Sequence, residues 1–86
     1  MRIARTERFK AAYRELTPSN QQRARKAIRL LRENPRHPGL RVKRIKGTQD
    51  IWEARVSRST RMTFEVHRDL IILRNVGEHD KTLAKP

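Results

Sequence analysis

Residues 50–80, DIWEARVSRSTRMTFEVHRDLIILRNVGEHD, decide how this chain folds. Trp52, Ala54 and Val56, then Met62, Phe64 and Val66, are apolar and spaced by two. Glu53, Arg55 and Ser57, then Arg61, Thr63 and Glu65, fall between them. Successive side chains of a strand point to opposite faces, so this alternation predicts half-buried antiparallel strands. Parity constrains the register. Both apolar sets share a face if Val56 pairs with Met62, which leaves Arg58, Ser59 and Thr60 as the loop; a two-residue loop of Arg58 and Ser59 mixes the faces. Beyond the turn at residues 67–70, Val66 pairs with Ile71 and Phe64 with Leu73, setting Thr63 opposite Arg74. The polar face then carries Arg55, Thr63 and Arg74 in one cross-strand row, with Arg61 one pair further along. Guanidinium groups gathered on one face repel each other and bury poorly, so an anionic partner is the expected reason for them.

Upstream of this stretch the period changes. Residues 1–4 suit a short first strand. Thr6 can cap a helix that opens on Glu7, and Phe9, Ala12, Tyr13 and Leu16 then form one apolar stripe. Thr17-Pro18 restarts the pattern, with Thr17 as cap and Pro18 at the first helical position. In the second helix Ala24, Ala27, Ile28 and Leu31 face inward, while Arg23, Arg25, Lys26, Arg29 and Arg32 line the outside. Asn34-Pro35 ends it near Glu33. Two helices with a short joint form a hairpin whose stripes must lie on the sheet. Residues 36–39 read as a turn and 40–46, LRVKRIK, as an outer strand with Arg41 and Lys43 outward and lysines suited to an edge. After Gly77 the segment GEHDKTLAKP reads as a tail. The expected fold is α+β, one domain over 1–86: an N-terminal strand and a helical hairpin packed on one face of a small antiparallel sheet, in the order β-α-α-β-β-β.

The charge balance narrows the partners. Twenty-two Lys and Arg against nine Asp and Glu leave a net charge of +13. Such an excess favours a polyanion, nucleic acid first and an acidic protein or anionic membrane second. Without cysteine there are no disulfides or thiolate metal sites, and an intracellular, cytoplasmic setting is expected. No apolar run approaches the roughly 20 residues of a spanning helix, and the N-terminus lacks a signal-peptide core.

Few residues offer chemistry. His37 and His67 sit in turns and read as solvated. His79 lies two residues past Gly77, just beyond the strand carrying Arg74, and an imidazole can exchange protons near neutral pH; its plain alternative is a polar surface group. No metal site is expected, because His79 and Asp80 are adjacent rather than spaced along one helix face. Trp52 and Phe64 share the apolar face and read as core. The basic side of the second helix suits solvent, phosphates or an acidic partner helix. Metal-free RNA cleavage needs a base for the 2′-OH, cations for the phosphate and an acid for the departing 5′ oxygen. Arginine supplies the cations with paired donors. Lys43, Glu53 and His79 are the candidates for proton transfer, Lys43 as base only where neighbouring positive charge depresses its pKa. These residues explain a ribonuclease and do not exclude simple phosphate binding.

The pieces ENPRHPGLRVKRIKG, IWEARVSRSTRMTFEV and IILRNVGEHD, taken with the helices, resemble the RelE/ParE superfamily of bacterial toxin–antitoxin toxins over nearly the whole chain. The resemblance implies a metal- and cofactor-independent endoribonuclease that cuts messenger RNA, often on the ribosome, and is held silent by a cognate, acidic antitoxin in a hetero-oligomer, with no membrane involved. By position, Arg61 matches the arginine that stabilises the scissile phosphate, Arg55 a basic residue on the preceding strand, His79 the general acid and Lys43 the base, with Glu53 the weaker base candidate. Arg74, Glu53, Arg58, Arg41 and Lys46 are the further substrate contacts expected. The tail lacks the aromatic residue that many RNA-cleaving members place near the C-terminus. The alternatives are a non-catalytic, ParE-like toxin that binds gyrase, or a basic RNA- or ribosome-binding protein.

Overall fold

The computed structural model describes residues 1–86 as five strands and three helices in the order β1 (Arg2–Arg5), α1 (Glu7–Arg14), α2 (Pro18–Glu33), β2 (Lys43–Arg44), β3 (Trp52–Arg55), β4 (Thr60–His67), β5 (Leu70–Glu78) and α3 (His79–Ala84). The strands form one sheet in the order β1-β5-β4-β3-β2. The fold is α+β, as expected. Strands β2 to β5 are antiparallel, and β1 joins the far edge parallel to β5, which makes the sheet mixed.

Both helix starts follow the sequence signals. The Thr6 hydroxyl accepts from the Phe9 N–H at 3.0 Å and donates to the Leu73 carbonyl at 3.0 Å, so one residue caps α1 and ties it to β5. Thr17 accepts from the Asn20 N–H at 3.2 Å, with Pro18 leading α2. Phe9, Ala27, Ile28 and Leu31 bury the helical stripes against Ala54, Met62, Phe64, Ile71, Leu73 and Val76 of the sheet. Val66, expected on that face, is 39% exposed.

Four expectations are corrected. The β3–β4 register places Ala54, not Val56, opposite Met62, with Arg55 opposite Arg61 and Glu53 opposite Thr63. Parity is kept and the offset is two residues, because the loop closes one pair later, through Val56 and Ser57 N–H groups that both donate to the Thr60 carbonyl. Val66–Ile71 and Phe64–Leu73 pair as read, but a bulge at Thr63/Phe64 brings Asn75 rather than Arg74 opposite Thr63. Residues 40–46 do not form one strand. A 3-10 turn at Pro38–Leu40 buries Leu40, Arg41 takes a left-handed φ of 48°, and only Lys43 and Arg44 pair.

The fourth is the tail, which is helical. Glu78 caps α3 by accepting from the Asp80 and Lys81 N–H groups, and α3 packs over β4 and β5 on the face opposite the helical hairpin. Thr63 donates to the Pro86 carbonyl at 3.1 Å and Asn75 to the Lys85 carbonyl at 3.2 Å. Gly77 makes this docking possible, since a Cβ there would sit 2.9 Å from Thr82 Oγ1. Gly77→Ala is therefore expected to lift α3 and cost about 1–3 kcal/mol. Hydrogen exchange should show α3 amides deprotected while those of β1 stay slow; unchanged α3 protection would refute the contact.

Candidate active site

Two rows cross the sheet face that α3 partly covers. Lys43, Glu53, Thr63 and Asn75 make one, and Arg55, Arg61 and Gly77 the next. Arg55 and Arg61, direct cross-strand partners, are thus the guanidinium pair of this face. Like charges placed opposite each other are unfavourable without a counter-charge. Part of it comes from Glu53, which is buried, with its Oε1 3.9 Å from Arg61 Nε.

Arg61 is braced on a second side. Its Nη1 donates to the Ser57 carbonyl at 2.8 Å and the Thr60 carbonyl at 3.1 Å, closing the β3–β4 loop under the guanidinium plane. Nη2 has no protein partner. The side chain is 17% exposed, which leaves it fixed in direction yet open to a ligand on one side. Such pre-organisation is what charge stabilisation on a developing phosphorane requires.

His79 opens α3 at the same end of the sheet. Its N–H donates to the Ser59 carbonyl at 2.8 Å, which anchors it to the β3–β4 loop beside Thr60, itself paired with Glu78. The ring Nδ1 lies 3.0 Å from Asp80 Oδ1. A carboxylate only accepts, so Nδ1 carries the hydrogen and Nε2 is left for exchange with a ligand. The sequence reading weighed Asp80 only as a metal ligand, and the structure makes it the hydrogen-bond partner of His79; its place two residues after an acidic helix cap was the available signal.

The register places Arg55, Arg61, Lys43 and Glu53 in adjoining rows of this face, and His79 opens α3 at its end, tied by its backbone to the β3–β4 loop that carries Arg58. It separates the rest. Arg74, displaced by the bulge, turns its Nη1 to Glu65 and its Nε to the Pro86 carbonyl at 3.2 Å. Hydrogen bonds from His67 and then Arg74 hold the Glu65 carboxyl below the usual carboxylate range. Arg74 is thus neutralised and bears on the tail, not on the Arg55–Arg61 pair. Arg41 leaves its left-handed turn for a groove lined by Pro35, Trp52 and Val66. Lys46 lies past β2 in a turn closed by the Thr48 hydroxyl, which donates to the Ile45 carbonyl at 2.7 Å. Lys43 is exposed and stands opposite the Glu53 carboxylate, not among the guanidinium groups as the sequence reading required.

Solved structures share this architecture. A YoeB/ParE toxin from Agrobacterium tumefaciens superimposes with a TM-score of 0.77, at 16% identity, over 92% of this chain and 99% of its own. YafQ from E. coli strain BL21(DE3) gives 0.79 at 13% identity, over 94% and 97%. The archaeal RelE–RelB complex from Pyrococcus horikoshii OT3 gives 0.76 at 18%, over 93% and 96%. The chain has the fold of the RelE/ParE-superfamily toxins along nearly its whole length. At the level of sequence, no family model and no curated protein matches it.

Proposed function

We propose that this protein is the toxin of a toxin–antitoxin system and acts as a metal-independent endoribonuclease on messenger RNA. The observation that carries this reading is the Arg55–Arg61 pair, with Arg61 braced by Glu53 and two loop carbonyls, at the end of the sheet where Asp80 orients His79. The fold shared with toxins, among them the E. coli RelBE toxin–antitoxin complex, supports it further. The 2′-OH gives its proton to a carboxylate oxygen of Glu53, the base candidate of this face that can accept one, with Lys43 opposite it on β2, and the 2′ oxygen attacks the adjacent phosphorus. Arg61 and Arg55 offset the added negative charge. In its cationic form His79, whose Nδ1–H donates to Asp80, gives a proton from Nε2 to the departing 5′ oxygen. The products are a 2′,3′-cyclic phosphate and a 5′-hydroxyl. The partners are an acidic antitoxin and messenger RNA on the ribosome, in the cytoplasm.

Because the attacking atom is the 2′ oxygen, a single 2′-methoxy or 2′-hydrogen substitution at the cleaved nucleotide should reduce cutting at that site below detection. End mapping on an otherwise identical transcript, with and without ribosomes, is the measurement. Undiminished cutting at the substituted site would sink the mechanism.

A further inference from the structure

A second cationic feature lies on the other side of Arg55. A cleft of about 550 Å3 opens between α2 and the β3–β4 loop, and Arg23, Lys26, Arg55 and Arg58 line it together with His37. No carboxylate lines it. None of those four Arg and Lys side chains makes a salt bridge or hydrogen bond within the protein, whereas Arg2, Lys10, Arg61 and Arg74 each pair with an acid. Leu30, Leu40 and Val56 supply an apolar floor. The volume falls within the range of roughly 300–1,000 Å3 usual for small-ligand sites.

Arg55 connects this cleft to the candidate active site. Strand β2 pairs only with Trp52 and Glu53, so beside Arg55 the sheet edge is open. Arg55 stands opposite Arg61 on β4 and also lines the cleft, with the loop tip at Arg58 between the two regions.

We infer that the cleft is a nucleotide subsite for the same RNA strand: a base of the nucleotide next to the scissile phosphate rests on Leu30, Leu40 and Val56, and its phosphates meet Arg23, Lys26 and Arg58. This rests on the ribonuclease reading and extends it by naming where the strand continues. An apolar floor with a wholly cationic rim suits a nucleotide, whose base has an apolar face and whose phosphates are anionic. An amphipathic partner helix would need a groove with apolar anchors spread over two turns, whereas the apolar residues here form one small floor. Continuity through Arg55 also favours a strand already bound at Arg61.

The test uses the full chain and an uncleavable 2′-O-methyl oligoribonucleotide, with binding followed by fluorescence anisotropy across a salt series. Arg23→Gln with Lys26→Gln removes two exposed charges from the rim. Arg14→Gln with Arg32→Gln removes two exposed charges that do not line the cleft, and circular dichroism should show both proteins folded. Each single-strand phosphate contact contributes about 0.7 to the slope of log affinity against log salt. The rim variant is expected to lose about 1.4 of that slope and to bind on the order of tenfold more weakly, with little change in the control. Equal binding by the two variants, while the unaltered protein still cuts RNA, overturns the subsite and leaves the ribonuclease reading standing. No RNA binding by the unaltered protein overturns both. An acidic peptide of poly-glutamate that binds the unaltered protein and not the rim variant, with RNA binding at control level, would assign the cleft to an acidic protein partner and overturn the inference.

Discussion

Arg61→Ala is expected to remove RNA cleavage by about two to three orders of magnitude, the loss typical of deleting one preorganised donor to a developing oxyanion. The geometry makes the experiment more than a charge deletion. Arg61 also holds the Ser57 and Thr60 carbonyls and is the only ion-pair partner of buried Glu53. Its removal leaves the buried Glu53 carboxylate without its counter-charge, at a cost of about 1–3 kcal/mol, while the Ser57 and Thr60 carbonyls keep their backbone N–H donors. Arg61→Lys separates the two roles. A lysine keeps a positive charge near Glu53 but loses the fork of donors that grips a loop carbonyl and a phosphate together. The lysine variant should melt closer to the unaltered protein and still cut at least tenfold more slowly. Transcript ends mapped after induction in cells are the readout. Cutting at full rate by folded Arg61→Ala would remove Arg61 from the site. Growth arrest with intact transcripts and damaged DNA would instead support the binding-only alternative, in which Arg61 serves the loop alone.

Phe64→Ala should produce the largest loss of stability. Phe64 is 1% exposed, lies between Trp52 and Leu73 in the register, and abuts the bulge at Thr63. Truncating a buried aromatic costs about 3–5 kcal/mol because the lost transfer energy is joined by an unfilled cavity. Domains are stable by only about 0.05–0.15 kcal/mol per residue, or roughly 4–13 kcal/mol for a chain of this size. A fall in Tm of more than about 12 °C follows from about 4–8 °C per kcal/mol. A fall of under about 4 °C in a calorimetric scan would mean that the site collapses around the gap and that the sheet is not held by this residue.

The helices were legible because their signals are local. Thr6, Thr17 and Pro18 act within one turn of themselves, and the apolar stripes repeat with the helical period whatever lies opposite. Strand faces were legible for a similar reason, since parity fixes which side chains share a side. Offset is another matter. The Val56–Met62 pairing kept parity and missed by two residues, because only the carbonyl of Thr60, receiving two N–H groups, decides where the loop closes. The Arg74 row failed at a bulge, which inserts a residue without leaving a compositional mark.

Sequence by itself determined the chain's cationic excess, its helical hairpin and the alternating strands that set Arg55 and Arg61 on one polar face, because charge, capping and period are properties of neighbouring residues. Tertiary structure alone decided that Arg61 faces Arg55 over a buried Glu53, that Arg74 is spent on Glu65 and the tail, and that α3 docks on Gly77. Those outcomes depend on which strands meet, and at what offset, across distances that no local pattern encodes.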